Sequence, residues 1–182
     1  MLKFAFIVLS LGLFALPATA QKMGMINRNA PAIEQKMDLG STGTVSLKYT
    51  GITWGAGAWA KALEDEGKRD QARQRINQTA DKSPLGSFEC SKDVQIDDVL
   101  VPAGKYDLAF KLDDDFAWQI ALAKEGSSIS IPLTLTQAEE ASKRLVVSVY
   151  AGDEDFTGGL YVAFGMDSGM LSITPAPEED QR

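Results

Sequence analysis

Two short acidic segments carry the residue types with the clearest chemical use. One spans Asp113–Asp115 and the other spans Asp153–Asp155. Ca²⁺ takes about six to eight oxygen ligands, and loops between strands can bring several carboxylates together. A calcium site built in this way would use Asp113, Asp114, Asp115, Asp153 and Asp155. Carboxylates facing each other across a cleft would instead suit glycoside hydrolysis. We favour a plainer interpretation, two solvated hairpin tips, because neither segment has the spacing of a recognised calcium loop.

A glycine-rich segment with an indole at each end is the second candidate site. Trp54 and Trp59 flank Gly-Ala-Gly-Ala and could form an aromatic platform for a sugar ring, since the small residues let a ligand approach. The competing interpretation is that an indole beside a helix start packs on a neighbouring sheet. We favour it for Trp59, because tryptophan is highly buried on average. Trp118 lies in a strongly alternating segment and is predicted to belong to the core.

The sequence contains no histidine. Its absence removes the usual general base, the commonest zinc ligand and every Ser-His or Cys-His pair. Cys90 is the single cysteine, so an intramolecular disulfide is excluded, and its alternation with Phe88 predicts a buried structural thiol. Neither a G-x-S-x-G turn nor an S-x-x-K motif occurs in a supporting context. The common nucleophilic and metal-dependent hydrolase classes are therefore disfavoured.

The chain begins with the layout of a secretory signal peptide. Lys3 precedes an apolar run over Phe4–Leu16, and the small residues Ala18-Thr19-Ala20 predict cleavage before Gln21. The apolar run is shorter than the roughly 20 residues that span a bilayer. We therefore predict a signal peptide over residues 1–20 and an exported protein of the periplasm or cell exterior, with no transmembrane anchor after cleavage.

Charge and length limit the partners and the number of domains. The 182 residues carry a net charge of −7, whereas nucleic acid and anionic lipid both require clustered Lys and Arg. Nucleic acid is therefore not an expected partner, and an unidentified protein or glycan is. We predict a flexible polar leader over residues 21–43, one domain over 44–174 and a polar tail over 175–182.

Alternating apolar residues predict strands over most of the domain. The clearest case is a hairpin of Lys105–Leu112 and Phe116–Leu122, in which Tyr106, Leu108 and Phe110 mark the buried face. A capping-box pattern at Thr136–Glu139 predicts a helical turn. Further strands are predicted at Thr44–Tyr49, Leu85–Ser91, Val94–Ile96, Val99–Val101, Ser127–Leu135 with Pro132 marking an edge, Leu145–Ala151, Leu160–Gly165 and Met170–Thr174.

One long segment departs from the strand pattern. Residues 58–80 have helical character, with Glu64 before Lys68 and Asp65 before Arg69 in the favourable order, although Gly67 suggests a break. The fold class is therefore mainly β. It is an antiparallel β-sandwich, Ig-like or jelly-roll-like, with one helical insertion near residues 58–80, and a closed barrel is the alternative.

Three stretches of the domain resemble a known family. They are Ser91–Val94 (SKDV), Val101–Leu108 (VPAGKYDL) and Phe116–Ile120 (FAWQI). They are similar to an S-K-D-V step, a Leu-Pro-Ala-Gly-x-Tyr-x-Leu turn and strand, and a Trp-centred strand in the secreted bacterial domain-of-unknown-function family catalogued as twenty-nine-eleven. The resemblance extends over Phe88–Thr174. It implies an exported domain and specifies no reaction.

The chain departs from that family upstream of Phe88. The family carries a Trp-Arg-Thr-Gly-Ala-Asn-like motif on a loop before the S-K-D step. The corresponding region here is the charged helical segment, where Arg75 and Asn77 are the candidate remnants. If that loop carries the family's activity, the resemblance implies that this chain has lost it.

The sequence favours a non-enzymatic exported β-sandwich that binds a ligand or another protein. A carbohydrate-active or calcium-dependent enzyme using Asp and Glu from the two acidic segments is the alternative, and it requires both segments to lie at the same end of the sandwich. A structural component of the cell envelope is the third hypothesis. Ca²⁺ is the one cofactor considered.

Overall fold

The computed structural model describes residues 30–53 and 64–177. The predicted signal peptide, the first part of the leader, Trp54, Trp59 and the first residues of the predicted helical segment lie outside these ranges. The described chain forms two antiparallel sheets and a single α-helix. The predicted mainly β, sandwich-like fold is confirmed.

The larger sheet has six strands in the order β1-β2-β3-β6-β7-β8. They are β1 (Ala32–Asp38), β2 (Thr44–Thr50), β3 (Gly86–Cys90), β6 (Gly104–Leu112), β7 (Trp118–Lys124) and β8 (Ser127–Pro132). The smaller sheet has the order β5-β4-β10-β9. Its strands are β4 (Val94–Ile96), β5 (Val99–Val101), β9 (Thr136–Ala151) and β10 (Gly158–Pro175). Pro132 lies on β8, an edge strand, as predicted.

The core lies between the two sheets. Side chains alternate across each strand, so every second residue points inward. Among the largest side chains that are almost fully buried are Phe88, Leu47, Ile96, Leu108, Ile120, Leu122, Ile131, Leu160 and Ile173. These residues come from both sheets and form one continuous apolar cluster. Burial of this cluster is the main force that holds the sheets together.

The predicted central hairpin is present, with its second strand shifted by two residues to Trp118–Lys124. Leu108 pairs with Leu122, and Leu112 pairs with Trp118. β7 begins at Trp118 because Phe116 has a φ of 67°, a left-handed conformation that ends strand pairing. Trp118 is partly buried and packs against the core.

The helix α1 (Glu66–Lys82) connects β2 to β3 and packs on β6. The side chain of Asp65 caps its first turn, accepting a hydrogen bond from Lys68 N at 3.3 Å. The helix ends before Ser83-Pro84, as expected where a proline follows. Gly67 is its second residue and therefore does not break it. Residues 58–63 of the predicted helix lie outside the described chain.

The leader prediction is wrong for residues 32–38, which form β1. This strand pairs with β2 over its whole length, from Ala32↔Thr50 to Asp38↔Thr44. Its inward residues Ile33 and Met37 are only partly buried and pack on the edge of the core. Because the third inward residue is Gln35, the segment has no simple apolar alternation, and the sequence pattern misses it. The folded domain begins at Ala32 rather than at Thr44.

The predicted helical turn at Thr136–Glu139 is also wrong. Thr136 pairs with Ser168 and Gln137 pairs with Asp167, so this segment is the start of β9. Partner strands override a local capping pattern, since the pairing supplies the backbone hydrogen bonds that a helical turn would make. The two predicted strands after Leu160 are parts of the single element β10, whose register shifts around Gly165.

The two sheets are also joined by hydrogen bonds along one side. β9 is the edge strand of the smaller sheet. Its backbone N–H groups at Leu145, Val147 and Val149 donate to Ile52 O, Tyr49 OH and Gln35 Oε1, at 2.8, 3.0 and 2.9 Å. Within residues 30–53 and 64–177, no helix is long and apolar enough to cross a membrane.

Candidate functional site

The two acidic segments lie at opposite ends of the larger sheet. Asp113–Asp115 follow the end of β6, next to Leu112. The turn that contains Asp153–Asp155 reaches the other end, where Thr42 Oγ1 donates a hydrogen bond to Phe156 O. Strand registers align Val45 with Cys90 and Cys90 with Gly104, so Thr42 is close to the start of β6. The length of β6 separates the turns, on the order of 25 Å.

The first acidic segment has structural partners. Asp113 closes the hairpin, since its carboxylate accepts hydrogen bonds from Ala117 N at 2.8 Å and Gln119 Nε2 at 3.3 Å. Asp114 forms an ion pair with Arg73 of α1. These contacts give Asp113 and Asp114 structural roles in the hairpin and in the attachment of α1.

Among residues 30–53 and 64–177, no three or more acidic or cysteine side chains are grouped closely enough to hold a metal ion. The structure thus does not bring Asp113, Asp114, Asp115, Asp153 and Asp155 together, and their placement agrees with the interpretation that we favoured, two separate hairpin tips. A mechanism that uses one carboxylate from each turn is likewise not supported by their placement. Both turns instead close hairpins of the sandwich.

Cys90 is buried, as predicted, with 1% of its surface exposed. Its thiol lies 3.3 Å from Pro102 O, to which it donates a hydrogen bond. Burial raises the pKa of the Cys90 thiol above its ordinary value of 9.0, and the nearby Asp93 carboxylate acts in the same direction. A thiol that stays protonated is a poor nucleophile, so the environment of Cys90 is that of a structural residue.

The remaining sequence candidates are placed as follows. Trp54 and Trp59 lie outside the described residues. Asn77, one of the two residues proposed from the family resemblance, is bound to the backbone of Leu112, while Arg75 is on the exposed side of α1. The two residues therefore do not form one site.

The outer face of the smaller sheet has a composition that the sequence interpretation missed. Leu145, Val147 and Val149 point into the core, so the residues between them point outward. Tyr150 lies opposite Gly159, and Ser148 lies opposite Tyr161. We call this surface the tyrosine face. It comprises Val146, Ser148, Tyr150, Tyr161, Ala163 and Met170.

Tyr150 lies across the neighbouring strand. A Cβ atom at Gly159 would come within 2.2 Å of Tyr150 Cζ, so the far end of the ring covers the glycine backbone. The ring extends towards Met170, where its hydroxyl group donates to Sδ at 3.5 Å. Tyr150 remains 37% exposed and Met170 67% exposed. A glycine at position 159 thus lets an aromatic ring lie down on the sheet and present surface to solvent.

The tyrosine face continues over the rest of the smaller sheet. Thr174 pairs with Gln95, which pairs in turn with Leu100 on β5. Leu100 is 52% exposed. None of these positions carries a charge, and in the turn after β4 the Asp97 carboxylate accepts a hydrogen bond from Ser172 N at 2.7 Å. An uncharged centre with a charged margin is therefore present on this side of the molecule.

The outer face of the larger sheet is different. Lys48 on β2 forms an ion pair with Glu34 on β1 at 3.5 Å, and Lys111 on β6 pairs with Asp81 of α1 at 2.6 Å. A shallow depression of about 190 Å³ lies near Tyr49 and Gly86, open to solvent. Gly86 is required there because a Cβ atom would overlap Lys48 O at 1.8 Å. In the part of the chain that the structure describes, this face is polar and carries no apolar patch like that around Tyr150.

Comparisons with protein-family models, with curated proteins and with solved structures give no match to this chain. The resemblance to the twenty-nine-eleven family therefore stays a prediction.

The sequence held a usable signal for the tyrosine face. The strand over Leu145–Ala151 was predicted with Leu145, Val147 and Val149 in one alternating set. The other set is Val146, Ser148 and Tyr150, which contains no charge. A solvent-facing set of strand residues usually includes charged side chains, so a set without charge is the signal by which the sequence could have identified this face.

Proposed function

We propose that the protein is an exported, non-enzymatic binding module that holds a protein partner on the tyrosine face. The single observation that carries the proposal is the exposure of Tyr150, Met170, Val146 and Leu100 on one uncharged sheet face. The centres of protein interfaces are depleted in charge and enriched in Tyr and Met, whereas their margins are polar. The tyrosine face and its acidic turns follow the same arrangement.

Export is part of the proposal and rests on the first twenty residues of the sequence. Lys3, the apolar run and the small residues before Gln21 support it. The absence of histidine and the separation of the two acidic turns support a role without turnover. A partner with a low charge density would suit the face best, because burying an unpaired charge against Tyr150 and Val146 would be costly.

The test places a photoreactive phenylalanine analogue at Tyr161 in the full chain, produced in its own cells. We expect a crosslink to one discrete protein. The matched control carries the analogue at Ser46, on the outer face of the larger sheet, and should give no such product. In a second step, Ser148→Lys puts a charge in the centre of the tyrosine face and should abolish the crosslink at Tyr161, while Ser46→Lys should preserve it.

Three outcomes would overturn the proposal. A crosslink of equal yield from Ser46 would show non-selective contact. A product containing a second copy of the chain would assign the face to self-association. Protection of the probe by a neutral glycan, without a protein adduct, would make the face a carbohydrate platform.

A further inference from the structure

The helix α1 carries a row of basic side chains that the tyrosine face does not involve. Lys68, Arg75 and Lys82 follow each other at intervals of seven residues, with Gln71 and Gln78 between them. All five residues are exposed. At 3.6 residues per turn the three basic residues fall within about 40° of one another around the helix axis. We call this row the α1 stripe.

The α1 stripe runs beside the packed side of the helix. Ala72, between Lys68 and Arg75 in sequence, is buried at the border of the stripe, while Arg73 and Asn77 lie on the packed side, where Asn77 Nδ2 donates to Leu112 O at 2.8 Å and Arg73 binds Asp114. Because Lys68, Arg75 and Lys82 are exposed, a partner can reach all three side chains.

The acidic residues of the helix do not neutralise the stripe. Asp70 pairs with Arg73 at 3.6 Å, and Asp81 pairs with Lys111 at 2.6 Å. Asp65 is used as the N-cap. Among the ion pairs of the described residues, none involves Lys68, Arg75 or Lys82. A chain with a net charge of −7 thus presents three positive charges in a line, none of them in an ion pair within the described residues.

We propose that the α1 stripe binds an acidic polysaccharide whose carboxylates recur along an extended chain. A rise of 1.5 Å per residue places successive basic residues about 10.5 Å apart along the helix and the outer two about 21 Å apart. The first distance is close to the length of one disaccharide unit in an extended glycan. Each basic residue then meets one carboxylate, while Gln71 and Gln78 supply uncharged hydrogen-bonding groups for the sugar hydroxyls between them.

A linear polyanion fits this surface better than an anionic membrane does. Interfacial helices bury a stripe of Trp, Phe or Leu in the lipid, and the exposed side of α1 has no such residue. The acidic remainder of the protein would also be repelled by a negatively charged bilayer. A single polymer chain contacts the stripe alone and avoids that repulsion.

The test measures binding of hyaluronan oligosaccharides, which carry one carboxylate per disaccharide, to the mature protein by calorimetry at low and at physiological ionic strength. Dextran is the uncharged comparison polymer. We expect binding to hyaluronan that weakens with salt, and none to dextran. The variant Lys68→Gln/Arg75→Gln/Lys82→Gln should bind at least about tenfold more weakly, because it removes all three attractive charges.

The matched control is Lys36→Gln/Lys105→Gln/Lys143→Gln. It makes the same change in net charge at three exposed positions away from the stripe, and it should bind as the parent protein does. Arg75→Lys keeps the charge and should retain binding, while unfolding midpoints of all variants should agree because the substituted side chains are exposed. No binding to hyaluronan at low salt would overturn the proposal, as would equal losses in both triple variants. Tighter binding to phosphatidylglycerol vesicles than to hyaluronan would assign the stripe to a lipid surface instead.

Discussion

Asn77 shows how one side chain can replace a missing strand. β3 begins at Gly86, opposite Leu108, so β6 continues beyond its neighbour to Leu112. There the Asn77 amide takes the place of a strand, since Nδ2 donates to Leu112 O at 2.8 Å and Oδ1 accepts from Leu112 N at 2.9 Å. A helix that covers a strand edge in this way removes a template for unwanted pairing.

We predict that Asn77→Ala lowers the free energy of unfolding by about 1–3 kcal/mol, because two partly buried backbone groups lose their partner. Urea unfolding measures the effect. Gln78→Ala, one residue further along the exposed side, is the control and should stay within about 0.5 kcal/mol of the parent protein. Equal stability of the two variants would mean that water replaces the amide at Leu112 without cost.

Cys90 makes the free energy of unfolding depend on pH in the alkaline range. Burial raises the pKa of its thiol in the folded state above 9.0, and burial also raises that of Tyr106 above 10.0. Above pH 9 the unfolded chain therefore loses protons that the folded chain keeps. The free energy of unfolding must fall as the pH rises through this range.

The expected outcome is a flat contribution from Cys90 below pH 9 and a decline above it. Cys90→Ala removes the titrating group, so its unfolding free energy should decline less steeply between pH 9 and 10, whatever its value at pH 7. Urea unfolding at a series of pH values measures both slopes. Parallel curves for the two proteins would contradict the assignment of the decline to Cys90.

At the scale of the element, α1 is attached by polar contacts rather than by a broad apolar face. Arg69 stacks on Phe116, with Cζ 4.8 Å from the ring centre, and Arg73 binds Asp114. Ala72 is the buried residue of the helix. Contacts of this kind stabilise weakly in water and are screened by salt.

We therefore predict that α1 opens without unfolding of the sheets. Amide hydrogen exchange should be much faster in Glu66–Lys82 than in β6 and β7, and faster still at high ionic strength. Arg69→Ala/Arg73→Ala should accelerate exchange in α1 alone, while Arg75→Ala, on the exposed side, should not. Exchange at a single common rate in the helix and in the sheets would show that α1 is part of the cooperative core.

The same elements show what the sequence was able to predict. β4 and β5 were predicted with their observed bounds because each has two apolar residues facing the core, as in Val94 and Ile96. β1 was missed because its inward Gln35 makes a hydrogen bond across the sandwich, a contact that no local pattern reveals. The start of β9 was missed because its pairing with β10 is distant in sequence. The tyrosine face was not predicted because its residues belong to no catalytic or metal-binding type, and only their outward position and lack of charge distinguish them.

At the scale of the whole molecule, the sandwich is held along one side by hydrogen bonds between its sheets. The N–H groups of an edge strand usually face water or a partner. Here those of Val147 and Val149 are satisfied by side chains of the larger sheet, from Tyr49 and Gln35. These bonds fix the position of β9, and with it the outward orientation of Ser148 and Tyr150.

The variant Tyr49→Phe tests the hydrogen bonds between the sheets by removing a single oxygen atom. Tyr49 is 3% exposed, and its hydroxyl accepts from Val147 N at 3.0 Å, so the variant leaves a buried N–H group without an acceptor. We predict a loss of about 1–3 kcal/mol in the free energy of unfolding. Tyr150→Phe makes the same change at an exposed ring, where the hydroxyl meets only Met170 Sδ at 3.5 Å, and should cost less than about 0.5 kcal/mol. If the two variants are equally stable, the sheets do not depend on this bond.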